Sequence, residues 1–197
     1  MTIFPKDKFR NPIFLSTFAK QKQLNMISSQ DIIQVRDYAR QDGVFLALLW
    51  TAGFIATMYA NTDAALGLIG NLATLATPFF VAYRLKAFRN DALEGHISFR
   101  RGLFYCMETF FHGAVLLTVV QFLWFRYGNV SGFMTQWQAS YEAVIAAYQM
   151  SAAEASQLKE AVAMMSPLAW ASLFLIMEII AGLVLSPIIA AIMQRKK

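Results

Sequence analysis

Four long apolar runs, at 44–60, 64–83, 103–125 and 168–193, constrain this chain more than any other feature. A helix needs about 20 apolar residues to cross the hydrocarbon core of a bilayer. A spanning β-barrel would instead need many alternating segments of about ten residues. Helices satisfy their own backbone hydrogen bonds in lipid, so four spanning helices is the economical reading. Composition agrees. Hydrophobic residues make up 57% of the 197 and charged residues 15%, with a mean hydropathy of +0.45. Disordered chains show the opposite balance, and a water-soluble enzyme of this length needs more charge, roughly 25%. The expected fold class is all-α: an integral membrane four-helix bundle.

Basic residues set the expected orientation. Seven precede the first run, five lie between the second and third, and three close the chain. The two loops on the other side hold only Arg126 and Lys159. Lys and Arg are retained on the cytoplasmic side, so both termini are expected there, with the long third loop outside. No continuous apolar core interrupts the first thirty residues, so the start is not a secretory signal. Residues 1–42 read as a basic cytoplasmic segment and 43–197 as the transmembrane domain. Within the former, Phe4, Phe9, Ile13, Phe14 and Phe18 mix with lysines. That pattern suits either a loose tail or a segment resting on an anionic leaflet. Ser28 is positioned to cap a short helix leading into the first span.

The outer loop carries its own helical signal. Phe133, Trp137, Tyr141, Val144 and Tyr148 recur three or four apart, which makes an apolar stripe on a helix near 131–149. Ser151 and Glu154 form a capping box that opens a second helix near 151–165, and Ser166-Pro167 suits the start of the last span. This amphipathic hairpin is nearly free of basic charge, so simple attraction to anionic lipid is a poor account of it. Phe133, Trp137, Tyr141 and Tyr148 are the candidate outer interaction surface.

Ionisable residues inside spans are expensive and mark functional candidates. Here they are Glu108 and His112 on the third run and Glu178 on the fourth. Glu108 and His112 share a helix face, and Glu178 and His112, each near the middle of its helix, meet at the same depth if those faces are opposed. Such a cluster either clamps helices together or relays protons or substrate. A metal centre is not expected: the di-iron pattern Glu-x-x-His on paired helices is replaced by a single Glu-x-x-x-His. No cofactor motif is present. Arg84, Lys86, Arg89, Arg100 and Arg101 in the inner loop are candidates for contact with anionic lipid or an acidic partner. Cys106 is the only cysteine, so no disulfide can form within the chain.

The order of features resembles a family of small four-helix membrane proteins from Bacteroidetes catalogued as domain of unknown function 4199. The residues that carry the resemblance are Asp37-Tyr38-Ala39-Arg40 with Gly43, then Phe88-Arg89-Asn90-Asp91, then Gly95-His96-Ile97-Ser98-Phe99, and Pro187 late in the last span. It covers roughly residues 35–193. The resemblance implies a bacterial inner membrane and a partner of the polyprenyl-phosphate glycosyltransferase type. It supplies no catalytic residues. The favoured expectation is therefore a non-enzymatic accessory or interaction subunit, working with another membrane protein or with itself and not with nucleic acid. The alternative is an oligomeric proton-coupled transporter or channel using Glu108, His112 and Glu178.

Overall fold

The structure is a computed structural model that describes residues 29–195. The proposed cap at Ser28, the aromatic-basic segment before it, and Lys196 and Lys197 lie outside the described residues. Among the described residues six helices follow one another: α1 (Ser29–Met58), α2 (Ala64–Ala92), α3 (Phe99–Tyr127), α4 (Ser131–Ala147), α5 (Ala152–Ala163) and α6 (Pro167–Met193). Four of them, α1, α2, α3 and α6, are long and apolar enough to cross a membrane. A 29-residue helix is about 43 Å long at 1.5 Å per residue. That exceeds a hydrocarbon core of about 30 Å, so the polar ends of these helices reach the headgroup level. In place of a short helix followed by a span, residues 29–58 form one continuous helix. Its polar start runs beside the first turns of α3, where Arg101 reaches Asp31 and Gln34, and Val35 and Ala39 of the same stretch are fully buried.

Helix α3 is the centre of the bundle and packs along both α1 and α6, while α2 packs mainly on α1. The α1–α2 hairpin follows from its short turn, where Asp63 accepts a hydrogen bond from the Ala65 amide at 2.8 Å. Small residues then bring the two backbones together. A Cβ on Gly53 would stand 2.7 Å from that of Ala73, and one on Gly70 would collide with Thr57. Helix α2 continues through Pro78. Most of the large exposed apolar side chains, among them Leu75, Phe79, Val119 and Ile192, lie on the four long helices, as a bilayer solvent requires.

The core divides in two. One cluster, around Leu46, Leu85, Phe88, Tyr105 and Phe110, fills the half nearest the basic flanks. The other, around Phe125, Phe133 and Trp170, lies at the opposite end under α4 and α5. The basic end is closed by the α2–α3 connection. Gly95 has φ +80°, in the left-handed region that glycine occupies freely, and its amide donates to the Arg89 carbonyl at 3.0 Å. Ile97 is then buried and exchanges two backbone hydrogen bonds with Arg195. Ser98 caps α3. The sequence Gly-His-Ile-Ser-Phe is thus turn, plug and cap in succession.

The outer helices form where the stripes place them. The Ser151–Glu154 capping box is complete, and its hydrogen bonds hold the Glu154 carboxyl below the usual carboxylate range. Ser166 caps α6 with Pro167 in its first turn.

Candidate functional site

Three polar groups sit among the spans, each built from a different pair or triple of helices. The first lies at the basic end. Asp42 on α1 is buried, with its side chain 2% exposed, and its Oδ1 accepts from Arg84 of α2 at 2.6 Å from Nε and 2.5 Å from the terminal nitrogen. The Tyr105 hydroxyl of α3 donates to the other carboxylate oxygen. One carboxylate therefore joins three helices. Phe88 stacks on Tyr105 with ring centroids 5.0 Å apart, and the Arg84 guanidinium lies over Phe45.

The second group is Glu108 and His112 with Arg36. The Arg36 Nε donates to Glu108 at 3.2 Å. The Nδ1 of His112 lies 2.7 Å from the Glu108 backbone carbonyl and 3.7 Å from its carboxylate. A carbonyl oxygen can only accept, so Nδ1 is the donor of that contact. Arg36, Arg40, Glu108 and His112 line a cavity of about 560 Å³ whose remaining walls are apolar.

The third group is Glu178 on α6. The faces that would bring it to His112 are not opposed; it meets Gln121 instead, whose Nε2 donates to Glu178 at 2.7 Å. Residues 112 and 121 are nine apart on α3. At 3.6 residues per turn that is about two and a half turns, so their side chains point in opposite directions. The acidic residue of α6 therefore faces the Gln121 side, into a separate cavity of about 430 Å³. That cavity also receives Thr74 and Thr77, the latter accepting from the Trp50 indole at 2.8 Å. Gln121 is 1% exposed, and its Oε1, like the Oε2 of Glu178, has no hydrogen-bond partner among the described residues.

The inner-loop cations divide as well. Arg84 is engaged by Asp42, and Arg89 donates to the Met193 carbonyl at the end of α6 at 3.1 Å, where the helix dipole favours a cation. Arg101 pairs with Asp31 at 3.0 Å and with Gln34 at 2.5 Å. Lys86 and Arg100 are exposed. On the outer side, Phe133 is buried in the chain's own aromatic cluster rather than turned outward, and Trp137 stacks beside it at 5.9 Å. Tyr141 is half-buried and Tyr148 is 79% exposed. The sequence reading missed Asp42. It stands just before the apolar run, where a charge reads as a solvated flank; its one signal was its level with Arg84 and Tyr105 at the membrane edge.

Four long apolar helices joined by buried polar contacts define a multi-pass helical membrane protein. The chain belongs to the family described as protein of unknown function (DUF4199), whose model matches residues 41–195. No curated protein and no solved structure matches it.

Proposed function

We propose that this protein is an accessory subunit of a membrane complex, and that its outer helices carry the docking surface. The observation that carries this reading is the division of the α4 stripe. Its near half, Phe133 and Trp137, is fixed to the bundle by contacts with Trp170 at 5.1 and 5.0 Å. Its far half presents Val144 at 45% exposure, and Tyr148, the residue that ends the helix, at 79%. An anchored aromatic helix with a free apolar end suits a partner's helix or membrane-proximal face, where tyrosine is a favoured contact. The partner class to which the family resemblance points is a glycosyltransferase acting on lipid-linked sugars, in a bacterial inner membrane with the basic end cytoplasmic. Mild-detergent purification from native membranes tests the reading. A stoichiometric membrane enzyme is expected to accompany the wild-type chain and to be lost from Val144→Glu/Tyr148→Ser, with the melting temperature unchanged. A monomer or pure homo-oligomer in both samples would overturn it.

The Glu178 cavity favours a second reading, transport. A mid-span carboxylate beside an apolar cavity with unpaired acceptors is a typical place for a coupling ion or substrate. The separation of Glu178 from Glu108 and His112 leaves it to act with Gln121. Proton-linked flux in liposomes that disappears in Glu178→Gln is the expected sign of this activity; equal flux in variant and wild type would dismiss it.

A further inference from the structure

The cavity at Arg36, Arg40, Glu108 and His112 has a shape and polarity that the docking role does not use. Its volume, about 560 Å³, falls within the range of small-molecule sites. Two guanidiniums stand at one side. Phe104 and Phe111 of α3 and Ile179 and Leu183 of α6 supply apolar wall. Arg36 and Arg40 belong to the polar first turns of α1, before the apolar run begins, whereas Ile179 and Leu183 lie in the middle of α6. The cavity therefore runs from the headgroup level into the hydrocarbon level.

Both arginines are held lightly. The Arg36 and Arg40 side chains are 62% and 69% exposed, and their pairs with Glu108 and Asp37 are 3.2 and 3.1 Å long. Exposed ion pairs of this kind contribute little. By contrast Arg84, Arg89 and Arg101 are fixed by partners within the bundle. A phosphate offers guanidinium groups a better match than a single carboxylate oxygen, because it accepts paired, charge-assisted hydrogen bonds.

We infer that this cavity is a binding site for an anionic phospholipid, one whose headgroup has no ammonium of its own to neutralise the phosphate, with the phosphate held by Arg36 and Arg40 and an acyl chain lying against Phe111, Ile179 and Leu183. Phosphate binding exchanges the Arg36–Glu108 contact for Arg36–phosphate, leaving Glu108 to His112, which already lies 3.7 Å from it. The inference does not depend on the docking reading, since the two surfaces are at opposite ends of the bundle.

The test uses the full chain in phosphatidylcholine vesicles containing spin-labelled phosphatidylglycerol, with the immobilised label reporting lipid bound at the protein surface. The wild type is expected to prefer phosphatidylglycerol over phosphatidylcholine. In Arg36→Gln/Arg40→Gln that preference is expected to fall about ten-fold, the order expected from losing charge-assisted hydrogen bonds. Leu183→Trp fills the apolar part at a position already 51% exposed, so it is expected to fold and to lose the preference too. Lys86→Gln, an exposed charge at the same end, is expected to change nothing. Unchanged selectivity in the arginine variant would overturn the site, and an equal loss in Lys86→Gln would reduce it to general surface attraction. Displacement of the label by inorganic phosphate, with Leu183→Trp behaving as wild type, would overturn the lipid in favour of the free anion.

Discussion

Asp42→Ala is expected to destabilise the bundle by about 3–5 kcal/mol, the cost of removing one partner from a buried ion pair. The truncation leaves Arg84, whose side chain is only 27% exposed, without its carboxylate. It also leaves the Tyr105 hydroxyl without its acceptor at a fully buried position. Both groups would then be charged or polar in a poorly hydrated setting, and α1, α2 and α3 would lose a side chain that bonds all three. Asp42→Leu combined with Arg84→Met and Tyr105→Phe should recover much of the loss, because replacing all three polar partners by apolar groups removes the desolvation cost along with the attraction. Arg36→Ala, which removes a cation that is 62% exposed and leaves Glu108 beside His112, should cost on the order of 1 kcal/mol. Detergent-denaturant titration of the three variants measures these differences. A cost for Asp42→Ala no greater than that for Arg36→Ala would mean that water reaches the clamp and that it does not hold the helices together.

The sequence carries much of this fold because bilayer physics is written in long, contiguous signals. Four apolar runs, an Asn-Thr-Asp turn and the Ser151–Glu154 cap each act locally, and each appears in the structure where its residues sit. Pairing between helices is not local. Whether Glu178 meets His112 or Gln121 depends on which face of α3 the last helix chooses, and half a turn of α3 separates the two. Depth along the membrane, which hydropathy gives well, does not fix that rotation. The same gap hid the clamp. Asp42, Arg84 and Tyr105 are far apart in the chain, and only the bundle brings them together. Cationic flanks were legible as topology signals, but hydropathy does not distinguish Arg89, bound to the end of α6, from Arg40, at the side of a cavity.

Trp170→Ala is expected to release the outer helices from the bundle. Trp170 is 2% exposed. It stacks on Phe125 at 5.8 Å and meets Phe133 and Trp137 edge-on at 5.1 and 5.0 Å. Phe133 and Trp137 belong to α4, while Trp170 and Phe125 belong to α6 and α3, so this one indole is the keystone between the outer helix and the spans. Truncating a buried aromatic to alanine costs about 3–5 kcal/mol, and aromatic pairs add roughly 0.5–1.5 kcal/mol each beyond their buried area. The loss should fall on α4 and α5, because the core cluster at the basic end shares no residue with this one. Amide hydrogen exchange is therefore expected to quicken across 131–163 while α1 and the first half of α3 keep their protection. Trp170→Phe provides the contrast. The indole nitrogen has no hydrogen-bond partner among the described residues, so replacing it by a phenyl ring loses volume but no polar contact, and α4 should remain largely protected. Uniform loss of protection throughout the chain in Trp170→Ala would show that the outer helices and the spans fold as one unit, and that α4 cannot serve as a separately anchored docking element.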